Sequence, residues 1–104
     1  MSARVFVWPE RTYEELGAER WAVSWKTVRP GANVNEEIDF DVDLVDRAVA
    51  CRTHAAAVAR ARRAAAEDYF GGAVVQRQVV AWDVEEDRIA EWAPAGEPEY
   101  VEDR

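Results

Sequence analysis

The sequence predicts an α+β domain, an antiparallel sheet of four to five strands with one long α-helix packed on one face and a short helical turn near the N-terminus. Three observations predict it. Residues 20–28 and 38–42 alternate apolar and polar with the period of a strand. Residues 44–69 are rich in Ala and Arg and free of Pro and Gly, as a helix should be. Two further apolar stretches flank the acidic turn Glu85-Glu86-Asp87, as in a hairpin. At 104 residues the chain has the size of one domain, 1–104.

The elements follow in order. Val5, Phe6, Val7 and Trp8 are β-branched or aromatic and stop at Pro9, which predicts a strand over Arg4–Trp8. Thr12 followed by Glu15 reads as a capping box, opening a helical turn that ends at Gly17. From Arg20 to Val28, Trp21, Val23, Trp25 and Thr27 share one side, giving a strand with an aromatic face. Pro30-Gly31 supplies a turn, after which Ile38, Phe40 and Val42 alternate with Glu37, Asp39, Asp41 and Asp43 in a further strand. The helix is expected from Leu44 to Tyr69, stopping at Gly71-Gly72, with an apolar stripe through Leu44, Ala48, Cys51, Ala55, Val58, Ala59, Ala66 and Tyr69. Strands are expected over Val74–Val84 and Arg88–Ala93, and residues 94–104 read as an acidic tail.

Charge narrows the function. Asp and Glu number 21 against 13 Lys and Arg, a net charge of -8 that opposes sequence-independent binding to phosphates and favours basic partners. No apolar run approaches the ~20 residues of a spanning helix, and Met1-Ser2-Ala3-Arg4 leads into a strand without a signal-peptide core, so a cytoplasmic location and no membrane partner are expected. Cys51 is the only cysteine, which excludes an internal disulfide.

No residue pattern points to catalysis, a metal or a cofactor, and none of the three is expected. His54 is the only histidine; with Cys51 it makes two ligands where zinc needs four. Gly71-Gly72 lacks the Lys-Ser/Thr ending of a phosphate loop and follows a helix rather than preceding one. Asp39, Asp41 and Asp43 would share one face of a strand; a hard cation could use them, but a solvated face is the simpler reading. Arg47, Arg52, Arg60, Arg62 and Arg63 make the expected helix locally basic, and pairing with acids of the same fold explains them more simply than nucleic acid does. Arg62 falls on the expected apolar stripe, where it must snorkel, find a carboxylate or mark an interface. Five tryptophans exceed what one Ala-rich helix can cover, which suggests a homodimer or a partner surface.

The stretch from Val79 to Trp92, VVAWDVEEDRIAEW, followed by Gly96-Glu97-Pro98-Glu99-Tyr100, resembles the ends of short uncharacterised proteins from phages and prophages of proteobacteria. Such neighbourhoods also encode anti-CRISPR and anti-restriction proteins, so the resemblance implies a setting in the host cytoplasm, and it brings no functional residue with it. The resulting expectation is a non-enzymatic, anti-CRISPR-type inhibitor bound to the basic surface of a host nucleic-acid-binding complex. Its partner-binding residues would be Glu36, Glu37, Asp39 and Asp41 together with Glu85, Glu86, Asp87, Glu91 and Trp92. The alternatives are a self-associating phage structural protein and a nucleic-acid binder using the Arg-rich helix.

Overall fold

The computed structural model describes residues 4–32 and 37–103. Six strands and one helix follow in the order β1 (Val5–Val7), β2 (Thr12–Val28), β3 (Leu44–Cys51), α1 (His54–Glu67), β4 (Gly72–Asp83), β5 (Arg88–Pro94) and β6 (Glu99–Glu102). All belong to one antiparallel sheet built on the pairing of β2 with β4. Towards the start of β2, β1 and β5 extend this pair on either side; towards its end, β3 and β6 do. The result is an elongated sheet of two four-stranded halves in a molecule 55 × 29 × 18 Å in extent.

The expected α+β class is thereby corrected. Strand accounts for 53% of the described residues and helix for 15%, so the fold is mostly β with a single helix laid on it. Two expected helical pieces are strands. Leu44–Cys51 pairs with β2 along its whole length, from Val28↔Leu44 to Trp21↔Cys51, and these ladder bonds, with the β-branched Val45 and Val49, outweigh the helical preference of Ala and Arg. Thr12–Gly17 begins β2: the Thr12 amide donates to Glu85 Oε2 at 2.8 Å and Glu15 receives Arg77, so both groups of the supposed capping box bond across the sheet. Conversely, the strand expected over 37–43 is a turn at 40–43, and the expected acidic tail contributes β6.

Helix α1 starts one residue after Thr53, whose hydroxyl accepts the Ala56 amide at 3.2 Å. It buries Ala57, Ala61, Ala64 and Ala65 against Val23, Trp25, Ala73 and Val75. This stripe differs from the expected one because alanines surround the helix and leave its phase to the sheet; Arg62 consequently stands exposed. Arg60 lies 4.7 Å over the buried Trp25 ring. Beyond the reach of α1, the same sheet face is covered by aromatics, with Phe6 stacked on Tyr13 at 5.2 Å and Trp8 packed over Val79, Ala81 and Ala93. Between the two clusters Arg77 donates to Glu15 at 3.1 Å and to Glu19 at 3.0 Å.

Replacing Ala61 with Leu should lower the unfolding free energy by about 1–3 kcal/mol, because no space exists between helix and sheet. Replacing the exposed Ala59 in the same way should change it by less than about 0.5 kcal/mol, both read from urea denaturation.

Candidate functional site

The acidic residues expected to bind a partner lie at the two ends of the sheet. Glu36 lies outside the described residues. Glu37, Asp39 and Asp41 belong to the β2–β3 connection, whereas Glu85, Glu86 and Asp87 form the β4–β5 turn. Strand β2 runs from one group to the other, and its 17 residues span roughly 50 Å at a strand's rise per residue. No single partner patch of ordinary width unites them.

The two groups also do different work. At the β4–β5 turn, Asp83 is buried and accepts Arg11 Nη1 at 2.9 Å, while Glu86 accepts Arg11 Nη2 at 2.9 Å. Burial alone would raise the Asp83 pKa, but the Glu86 amide and the Arg11 guanidinium outweigh it and hold the carboxyl below its ordinary value of 3.8. Asp87 takes a positive φ of 52° that closes the turn. This acidic turn is fastened to the β1–β2 connection. Glu91 is exposed on β5, and Trp92 lies beneath the Arg20 guanidinium, 4.1 Å from its ring centroid.

At the opposite end, Asp39 Oδ1 accepts the Asp41 amide and the Asp39 amide donates to Asp43 Oδ2, each at 2.9 Å, while Asp43 holds Arg29 at 3.0 Å. The loop so shaped presents Phe40, 59% exposed, against Tyr69 and Phe70, 42% and 56% exposed. Ring centroids are 5.9 Å apart for Phe40–Tyr69, 5.7 Å for Phe40–Phe70 and 5.0 Å for Tyr69–Phe70, all edge-on. Tyr69 and Phe70 reach this position because the helix ends at Glu67 and Asp68 then bridges: its side chain accepts the Lys26, Phe70 and Gly72 amides. Phe70 also walls a cleft of about 220 Å³ with Val74, Tyr100 and the Lys26–Asp46 ion pair. Gly72 makes this cleft what it is, since a Cβ there would lie 2.0 Å from the Tyr100 hydroxyl.

Sequence reasoning missed this aromatic group. It placed Phe40 on a strand face and Tyr69 on the helix stripe. The available signal was Tyr69-Phe70 directly before Gly71-Gly72, a pair the helix stop leaves outside the core. The other side chains weighed in the sequence are accounted for locally. Cys51 lies in β3 and not on the helix with His54, and the His54 ring meets Glu99 at 2.6 Å and Trp21 at 4.7 Å between centroids. Arg62 lines a shallow groove with Glu99 and Glu102, where neighbouring carboxylates offset the helix's positive charge. Among the described residues no group of three His, Cys, Asp or Glu side chains could hold a metal ion, and no helix is long and apolar enough to cross a membrane.

Because the Asp83 pKa is depressed on folding, its contribution is present above its unfolded value and is lost as pH falls through the lower folded value. Asp83→Asn should therefore flatten the acid limb of stability below about pH 4, measured by urea midpoints from pH 2 to 6. Gly72→Ala should displace Tyr100 and cost about 1–3 kcal/mol; loss of the change in a Tyr100→Ala background would assign the cost to that contact. Comparison with protein-family models, curated proteins and solved structures gives no match, so neither the fold nor the phage-like resemblance of residues 79–100 gains a relative from them.

Proposed function

We propose that this chain is a non-enzymatic, acidic protein-binding inhibitor that engages arginine and lysine side chains on a partner's nucleic-acid-binding surface. The observation that carries the reading is the exposed Phe40–Tyr69–Phe70 group beside Asp39, Asp41 and Asp68. Aromatic faces attract guanidinium and ammonium groups, more strongly as water is excluded. Nearby carboxylates steer a basic partner towards them and hold the rim of the contact. The cations closest in the fold do not compete, since Lys26 is paired with Asp46 and Arg29 with Asp43.

Of the residues expected from the sequence, this reading keeps Glu37, Asp39 and Asp41 at the binding end. It gives Glu85 and Glu86 a structural role, because they are bonded to Thr12 and Arg11. Inhibition would be steric and electrostatic, the acidic end taking the place of phosphates. With the setting implied by residues 79–100, the target would be a host defence complex.

The test is capture by the tagged protein from a nuclease-treated bacterial lysate at low and high salt, followed by mass spectrometry and direct titration of the retained protein. A nucleic-acid-binding partner should be held at low salt and released at high salt. Phe40→Ala should weaken its binding by about tenfold, and Asp41→Lys should weaken it mainly at low salt. Binding that ignores both substitutions and the salt would refute the reading.

A further inference from the structure

The sheet has four edge strands, and three of them are blunted against pairing with another chain. Strand β1 has three residues and stops short of Pro9. Strand β5 ends in Pro94 and loses register with β4 between Val79 and Ala81. Strand β6 has four residues and follows Pro98. Strand β3 differs: its eight residues hold one unbroken register with β2, contain neither Pro nor Gly, and have β2 as their only strand partner among the described residues. Its two charged side chains fold back towards β2 instead of guarding the edge, Asp46 onto Lys26 and Arg47 onto Thr27 Oγ1 at 3.2 Å.

The alternation of hydrogen bonds fixes which backbone groups that edge offers. Arg29 stands one step beyond the Val28↔Leu44 pair, and its amide donates to the Asp43 carbonyl at 2.8 Å. Odd-numbered residues of the two strands therefore exchange the ladder bonds. On the far side of β2 the Tyr69 amide donates to the Lys26 carbonyl at 2.7 Å, as this alternation requires. In β3 the amides and carbonyls of Leu44, Asp46, Ala48 and Ala50 consequently point away from β2, and Asp46, Ala48 and Ala50 are exposed.

We propose that a second copy of this chain pairs with β3 edge to edge, antiparallel about a twofold axis normal to the sheet, with Ala48 opposite Ala48. Register selects this arrangement. Outward groups meet only when even-numbered residues face even-numbered ones, and two symmetric registers of that kind use most of the strand. One sets Arg47 directly opposite Arg47, a like-charge pair that disfavours it. The other sets Ala48 opposite Ala48, Asp46 opposite Ala50 and Val45 opposite Cys51, with the Arg47 stem beside Val49. Arg52 lies two positions beyond Ala50, which brings it to the other copy's Asp46, an opposite-charge contact formed twice. The half-buried Val45, Val49 and Cys51 gain neighbours, and the β3 halves of two copies become one continuous sheet. The edge thus fits itself in backbone bonds, side-chain size and charge. The contact uses no residue of the Phe40–Tyr69–Phe70 group, so self-pairing and the binding of a basic partner can fail independently.

Sedimentation equilibrium from micromolar to submillimolar concentration should show a monomer in exchange with a dimer. Ala48→Pro removes an amide that points away from β2, so circular dichroism should stay unchanged while the dissociation constant rises at least about tenfold. Ala48→Lys sets two lysines opposite one another and should weaken the dimer similarly. Single cysteines in a Cys51→Ser background read the register. Ala48→Cys should oxidise to a disulfide-linked dimer, because opposite Cα atoms about 5.5 Å apart lie within the roughly 4.4–6.8 Å that a disulfide spans. Arg47→Cys should oxidise far more slowly. A monomer at every concentration, a dimer that survives both Ala48 substitutions, or a disulfide favoured by Arg47→Cys would overturn the edge pairing.

Discussion

The pairing of β2 with β4 organises everything else in the fold. The two strands run antiparallel from Tyr13↔Asp83 to Ser24↔Val74, and each of the other four strands attaches to one of them. Midway, Leu16, Gly17 and Ala18 of β2 stand opposite Val80 alone. A one-residue insertion would have turned the later half of β2 inside out, but two extra residues keep its alternation in phase. Tyr13 and Val23 therefore serve the same face on either side of the irregularity, and both halves of the sheet can share one covered side.

That covered side is filled in two ways because one helix of 14 residues cannot span it. Over β3 and β6 the alanines of α1 let the helix approach closely, so small residues face Val23, Trp25 and Val75. Over β1 and β5, where the sheet itself contributes Ala81, Ala90 and Ala93, the rings of Phe6, Trp8 and Tyr13 close the surface instead. The Arg77–Glu15–Glu19 group lies where neither cover reaches. There a paired ion triad in partial contact with water avoids the desolvation cost that full burial would impose.

The same long pair separates the charges. Carboxylates collect at the ends of β2, and the two ends differ in what they hold. At one end Asp83 and Glu86 clamp Arg11, so negative charge is spent on joining the β1–β2 and β4–β5 connections. At the other, Asp39 and Asp43 shape a loop whose exposed ring joins Tyr69 and Phe70, so charge frames an aromatic surface. A net charge read over the whole chain cannot distinguish these roles, since it is the distance between the ends and the local cations that decide them.

By itself the sequence determined the elements whose signals are local. The alternation through Trp21, Val23 and Trp25, the hairpin around Glu85-Glu86-Asp87 and a helix that ends before Gly71-Gly72 all depend on neighbours within a few residues. The acids Asp39 and Asp41 could likewise be recognised as a candidate surface, although not as a turn. Tertiary structure alone decided that Leu44–Cys51 and Thr12–Gly17 are strands, that residues 99–102 complete the sheet, and that Phe40 meets Tyr69 and Phe70. Each of these outcomes rests on partners more than ten residues away, Val23 for Val49, Arg77 for Glu15, Ala73 for Val101. Backbone bonds to such partners override local preference, and a reading of local preference alone cannot count them.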